Sequence, residues 1–309
     1  PFMKPYPESP KAIPGPHSSS SKPHLLAWTI LFLLALVWGS SFILIKKGLL
    51  VFSPLQTAAL RVGSGILILF FIALPYLRRV PSHKWKYLII SGHLGVLIPA
   101  FLFAQAQTGL DSSLAGILNS LTPLFTLLIG NFFFQSRLRL FQVLGVGIGL
   151  VGSVGLVLVN SPQGGVSLNH HALLVLLATI LYGMNVNLVK KYLSDLPPLM
   201  ITSISLFTTA PLTLGLLLNL DILATYKSQT GAGEALAYIS ILGVFSTGIA
   251  AIFFNHLIQI SNAIFASSVT YLIPFIALLW GVLDGESLSF QIIFALSLVI
   301  AGVWLVNRK

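Results

Sequence analysis

Ten blocks of nearly continuous apolar sequence run along this chain, at 25–47, 54–77, 86–108, 113–134, 140–160, 172–193, 198–219, 235–258, 263–283 and 288–307. Each reaches the ~20 residues that a helix needs to cross ~30 Å of hydrocarbon. None alternates apolar and polar positions as a barrel strand would. The pattern predicts an all-α membrane protein with ten transmembrane helices. Breaks between blocks are short and carry turn or charge signals, as at Ser53-Pro54, Arg78 to Lys86, Arg137 to Arg139, Pro162 to Gly165, Pro197-Pro198 and Asp284 to Glu286.

The pattern also repeats. Trp38 to Leu49 (WGSSFILIKKGL) returns as Tyr182 to Leu193 (YGMNVNLVKKYL), and Leu121 to Gly130 (LTPLFTLLIG) as Leu272 to Gly281 (LIPFIALLWG). The offsets are about 144 and about 151 residues, so the chain reads as two diverged copies, 25–160 and 161–309, of one five-helix unit. With a cytoplasmic N-terminus, the inner side collects Lys4, Lys11, Lys22, Arg78, Arg79, Lys84, Lys86, Arg137, Arg139, Lys190, Lys191, Arg308 and Lys309. Only Lys46, Lys47 and Lys227 fall outside. That bias predicts both termini cytoplasmic. Five spans per copy then turn the second copy upside down, giving the inverted repeat common among secondary transporters.

Composition agrees with this reading. Hydrophobic residues make up 56% and charged residues 8%, with a mean hydropathy of +0.93, whereas soluble domains carry roughly 25% charge. The formal charge of +10 is the positive-inside signal, so no nucleic-acid partner is expected. Residues 1–24 are rich in Pro and Ser and lack the apolar core of a signal peptide; they are expected to be a disordered cytoplasmic tail. The chain has no cysteine, which excludes disulfides.

Several pieces together resemble the EamA-type family of the drug/metabolite transporter superfamily. These are WGSSFILIKKGL with Lys46 eight residues after Trp38, SPLQTAALRVGSG with its Arg61, the small-residue helix carrying Pro123, and Gly285 to Ser287 (GES). The resemblance covers residues 25 to 309. It implies a ten-helix inverted-repeat transporter of the bacterial inner membrane, with helices 1 to 4 and 6 to 9 around a central cavity and helices 5 and 10 peripheral. It also weights the function toward export of amino acids or related metabolites. One departure is Gln135, where the second copy has Glu286.

Candidate residues follow from cost. An ionisable or polar side chain inside a span is expensive and faces protein or water. Arg61 lies about two turns inside span 2, where it either caps neighbouring carbonyls or attracts a substrate carboxylate or phosphate. Trp38 and Ser41 align with Tyr182 and Asn185 and are expected to line two related walls of one site. In span 4, Ser112, Ala115, Asn119, Thr122, Thr126 and Gly130 share a helix face, as do Ala263, Ala266, Thr270, Pro274, Ala277 and Gly281 in span 9. Such faces serve close packing or admit Asn119, Thr270 and the adjacent Tyr271 to a cavity. His93 and His256, with Gln105 at the repeat position of His256, either bridge helices or bind substrate and carry protons. Pro123 and Pro274 are hinges or fixed kinks. Lys46 and Lys47 form an outer gate or snorkel to the interface. The glycines Gly145, Gly149 and Gly152 of span 5 read as packing.

The acids Glu8, Asp111, Asp195, Asp221, Glu234, Asp284 and Glu286 all fall in the tail or near span ends. With Arg61 and the lysines read as uncompensated, the cavity is expected to favour neutral, zwitterionic or anionic solutes. No catalytic set, metal motif or cofactor motif is present, so an enzyme is not expected. The expectation is a uniporter or exchanger working by alternating access, its partners a small solute and the bilayer. A proton-coupled efflux pump resting on His93 or His256, a non-transporting sensor or structural protein on the same fold, and a homodimer are left open.

Overall fold

The computed structural model describes residues 25–134, 170–286 and 290–307, with 140–141, 143–145, 147–148 and 151–152 between them. The expected tail 1–24, Gln135, Arg137, Arg139, Gly149, Ser287, Arg308, Lys309 and most of the fifth span lie outside these residues. Every regular element among the described residues is a helix.

Seven helices are long and apolar enough to cross a membrane: α1 (Leu25–Leu49), α2 (Pro54–Leu77), α3 (Ser82–Ala106), α4 (Ser112–Phe134), α5 (His170–Leu193), α7 (Ala232–Ile260) and α8 (Ala263–Leu283). An eighth, α6, joins Pro198–Thr208 to Ala210–Asn219 through a 43° bend. Pro211 sits in the first turn of the second segment; its ring removes one donor and crowds the carbonyl a turn earlier. A final helix, α9, spans Phe290–Asn307. The side chains left outermost are large and apolar, such as Phe71 at 75% and Leu218 at 84% exposure. Only a lipid environment makes so greasy a surface favourable, and the chain is a multi-pass integral membrane protein.

Local chemistry sets the breaks. Ser53 Oγ accepts the Gln56 N–H at 3.3 Å while Gln56 Oε1 accepts the Ser53 N–H at 3.0 Å. With Pro54 at the first helical position, this capping box starts α2 where the sequence signals a turn. In α4 the helix breaks between Asn119 and Thr122. Pro123 frees the Asn119 carbonyl, and Thr122 Oγ1 donates to it at 2.8 Å. Pro274 follows a 3-10 turn at Ser268–Tyr271 in α8. Wider, π-helical departures occur at His93–Leu97 in α3 and at Leu242–Ile249 in α7, with another at Val189–Leu193 closing α5. The repeat offset places the first on 244–248, inside the second.

Glycines set the tightest contacts between helices. A Cβ at Gly92 of α3 would lie 2.1 Å from Ser205 O of α6, and one at Gly243 of α7 would lie 2.3 Å from Arg61 O of α2. Backbone oxygens cannot yield as side chains do, so these positions fix the pairs α3–α6 and α2–α7. Gly116 of α4 faces the Ala277 Cβ of α8 in the same way, at 2.5 Å. The small-residue faces of α4 and α8 therefore do pack on each other.

A matched set of alanine substitutions tests this packing. Gly92→Ala and Gly243→Ala should each destabilise by about 1–3 kcal/mol through overpacking, seen as a lower melting temperature in detergent. Gly215→Ala in α6, where nothing lies within 4 Å, should leave it unchanged or raise it.

Candidate functional site

A cavity of about 130 Å³ lies among the helices, and each of α1 to α8 contributes to its wall, while none of the described residues of α9 does. Seven of the sequence candidates meet there: Trp38 and Ser41 from α1, Arg61 from α2, Asn119 from α4, Tyr182 and Asn185 from α5, and Thr270 from α8. The repeat match explains the assembly, because Trp38 pairs in sequence with Tyr182, Ser41 with Asn185 and Asn119 with Thr270.

Aromatic contacts cross between the copies. Trp38 meets Phe254 edge-on with centroids 4.9 Å apart, and Tyr182 stacks on Phe103 at 6.0 Å. Phe103 and Phe254 are themselves repeat partners. Each copy's first helix thus leans on the other copy's third.

The π segment of α7 organises one wall. Ser246 O accepts the Trp38 indole N–H at 3.1 Å, Ser41 Oγ donates to Ser246 Oγ at 3.0 Å, and Thr247 Oγ1 accepts from Arg61 Nε at 2.9 Å. Among the described residues no carboxylate lies within ion-pair distance of the Arg61 guanidinium. Its remaining N–H donors are available to a ligand. Asn255 also lines the cavity and donates to Thr202 Oγ1 at 2.9 Å.

Four candidates are not brought to the cavity. His93 is half-buried, and its Nδ1 lies 2.9 Å from Ile89 O, back along its own helix; Gly95, two residues on, takes the wall position. Gln105 is exposed, whereas Phe103 turns inward. His256 and Tyr271 each follow a lining residue, Asn255 and Thr270. Neither is itself among the lining residues. The sequence missed Ser246, Thr247 and Phe254. By the repeat offsets Asn255 stands opposite Ala104 and Ser205 opposite Arg61.

Lys46 and Lys47 correct a second expectation, for they are compensated. Lys46 Nζ lies 2.8 Å from Asp284 and 2.9 Å from Glu286, and Lys47 Nζ lies 2.5 Å from Asp284. The side chain of Glu286 is only 3% exposed and also accepts from Ser112 N at 3.1 Å, Ser113 N at 3.2 Å and Ser113 Oγ at 2.7 Å. A carboxylate there caps the N-terminus of α4, where orphan N–H groups and the helix dipole favour negative charge. Gly281 leaves the room, since a Cβ there would lie 2.4 Å from Glu286 Oε2. Gln107 Nε2 and Ser112 Oγ donate to Phe42 O beside it, at 2.9 and 3.3 Å. This end of the bundle is thereby knotted to α1. The repeat-related Lys190 meets no acid among the described residues and donates instead to Ile258 O at 2.8 Å and Ser261 O at 2.9 Å.

The electrostatics of the knot reflect these bonds. Hydrogen bonds from Lys46 and Lys47 hold the Asp284 carboxyl below its ordinary value. Burial opposes ionisation of Glu286, but the bonds from Lys46, Ser113 and Ser112 outweigh it and the carboxyl is also held low. Asp111 nearby is pushed up, by burial and then by the charge on Glu286.

Known proteins share this sequence pattern and fold. The model of the EamA-like transporter family matches residues 25–158 and 170–308, one stretch per repeat. The uncharacterized inner membrane transporter YedA of Escherichia coli K12 is 26% identical over 90% of this chain and 92% of its own length. A probable amino-acid metabolite efflux pump of Salmonella typhimurium is 31% identical over 43% of this chain and 42% of its own. A solved crystal structure superposes with a TM-score of 0.66 at 20% identity, covering 91% of this chain and 96% of that one, a likeness of fold.

The knot predicts an acid dependence. Both carboxyls have depressed values when folded, so their stabilisation is complete above the ordinary carboxylate range and is lost as pH falls through the depressed one. Thermal stability should hold from neutrality to about pH 5 and drop below about pH 4. Glu286→Gln should cost about 1–3 kcal/mol at neutral pH by weakening the charged bonds to Lys46, Ser112 and Ser113, Lys46 keeping Asp284, and should make the acid limb of the melting curve shallower.

Proposed function

This chain belongs to the EamA-like transporter family, and from that premise we propose that it carries a small zwitterionic or anionic metabolite, an amino acid or close relative, across a bacterial inner membrane by alternating access. The two matched stretches correspond to two five-helix repeats, 25–160 and 161–309, inserted in opposite senses with both termini in the cytoplasm and residues 1–24 as a cytoplasmic tail. The lysine and arginine distribution supports that orientation. The membrane assignment is supported by the name of YedA, and the solute class by that of the Salmonella relative.

The observation that carries the reading is Arg61, a guanidinium set in the wall of a membrane-embedded cavity with a threonine hydroxyl as its partner. Such a charge is costly unless something meets it, and a carboxylate matches its geometry. The cavity's ~130 Å³ equals roughly ten waters at about 10–15 Å³ each, which suits a solute of roughly ten non-hydrogen atoms. Among the described residues the lining includes no carboxylate and no histidine, which favours uniport or exchange over proton coupling.

In this reading the Lys46 knot is the outer gate and the Lys190 contacts close the inner end. Opening outward separates Lys46 and Lys47 from Asp284 and Glu286. Opening inward releases Lys190 from the carbonyls of α7. Pro123 and Pro274 shape the helices that move, as fixed kinks.

Counterflow into proteoliposomes tests the proposal. Labelled neutral amino acids should enter by saturable exchange, and Arg61→Gln should weaken apparent affinity about 10- to 100-fold, the effect of one charge-assisted pair. Unsaturable flux with conductance, or full activity in Arg61→Gln, would contradict it.

A further inference from the structure

The end of the bundle that the reading above places in the cytoplasm carries an aromatic and cationic patch outside the cavity. Tyr87 of α3 and Tyr192 of α5 stack with centroids 4.2 Å apart and planes 5° from parallel, and the Phe134 ring at the end of α4 lies 6.3 Å from Tyr192. An ammonium lies over each tyrosine. Lys86 Nζ is 4.9 Å from the Tyr87 centroid, and Lys191 Nζ is 5.0 Å from that of Phe134 and 5.4 Å from that of Tyr192. The patch therefore joins helices of both copies.

The lysines here are of two kinds. Lys84 donates to Asp195 Oδ1 and to Tyr192 O, each at 2.7 Å, which ties α3 to α5 and engages the acid. Lys86 and Lys191 are exposed, and among the described residues no acid lies within ion-pair distance of either. A solvated aromatic face attracts an ammonium only weakly and leaves its N–H donors for another partner. Arg78 and Arg79, exposed at the end of α2, add positive charge. Tyr76 beside them packs on the same apolar cluster as Trp85, Tyr87 and Tyr192.

Deeper along these helices the surface is apolar and uncovered. Ile89 and Ile90, about one turn beyond Lys86, are 43% and 40% exposed, and Phe132 and Phe133, which precede Phe134, are 74% and 72% exposed. Tryptophan and tyrosine side chains settle at the headgroup level of a bilayer. Charge at the rim, rings beneath it and bare apolar side chains below match an anion that carries hydrocarbon chains. A soluble anion would meet only the lysines. A zwitterionic headgroup brings a cation of its own, which the lysines repel.

We propose that Lys86 and Lys191, over the stacked Tyr87 and Tyr192, bind the phosphate of an anionic phospholipid. The inner leaflet is its source if the chain is oriented as above; the site itself uses no residue of the cavity. An ammonium and a phosphate oxygen form a charge-assisted hydrogen bond, and each lysine at an anionic membrane surface is worth about a fivefold preference. Spanning α3 of one copy and α5 of the other, the bound lipid stabilises the folded bundle.

The test is thermal stabilisation of the purified full chain in neutral detergent, with phosphatidylglycerol, phosphatidylcholine of the same acyl chains, and inorganic phosphate as probes. Phosphatidylglycerol should bind at least about tenfold more tightly than phosphatidylcholine, and inorganic phosphate at the same concentration should add no stability. Lys86→Gln and Lys191→Gln should each lower the lipid ratio about fivefold and together bring it near one. Lys227→Gln, at an exposed lysine beside the start of α2, should leave it unchanged. A wild type without preference, a ratio that survives the double substitution, or an equal loss in Lys227→Gln overturns the lipid site. Inorganic phosphate that stabilises as well as phosphatidylglycerol overturns it in favour of a soluble anion. These readouts involve no carried solute, so their failure leaves the transport reading standing, and a failure of counterflow leaves the lipid site standing.

Discussion

Hydrocarbon offers no hydrogen bonds, so every polar group buried in this bundle must find its partner in the protein or in what the protein carries. That constraint separates the two charged centres. Glu286 sits under four bonds from Lys46, Ser112 and Ser113 and is fully provided for. Arg61 lines the cavity with Thr247 as its hydrogen-bond partner and, among the described residues, no carboxylate at ion-pair distance. A saturated ionic centre holds helices together. An unsaturated one binds something that comes and goes.

Duplication supplies the frame in which this difference becomes useful. The two copies place aromatic pairs, π-helical turns and proline kinks at matching positions, which builds a cavity with related walls. Selectivity comes from positions where the copies have diverged. Arg61 stands opposite Ser205 in the repeat, and Lys46 meets acids where Lys190 meets carbonyls. A symmetric cavity would treat both ends of a solute alike; this one is polar in a defined sense. The two ends of the bundle likewise close by different chemistry, one by paired charges and the other by a lysine on helix carbonyls.

Much of this was legible in the sequence because hydropathy and self-similarity are local properties. The apolar blocks predicted the long helices, and the match of Trp38 with Tyr182 and Ser41 with Asn185 predicted residues that do share a cavity. Residue phase was less legible. A π turn carries an extra residue and rotates the rest of its helix, and nothing in LGVFSTGI announces one. Ser246 and Thr247 lie in that segment and line the cavity, and Asn255 lines it where His256 does not. The pairing of Lys46 with Glu286 was hidden for a different reason: the partners lie 240 residues apart, and the repeat map compares equivalent positions without revealing contacts between different ones.

The central claim is that one cavity binds the solute and is exposed to each side of the membrane in turn. The chain has no native cysteine, so Ser41→Cys and Thr270→Cys give single thiols in that cavity for a membrane-impermeant thiol reagent. Each thiol should be modified from either side of oriented vesicles, an amino acid should protect it, and Arg61→Gln should abolish the protection. Modification from one side only, or protection that survives the loss of Arg61, would contradict the claim.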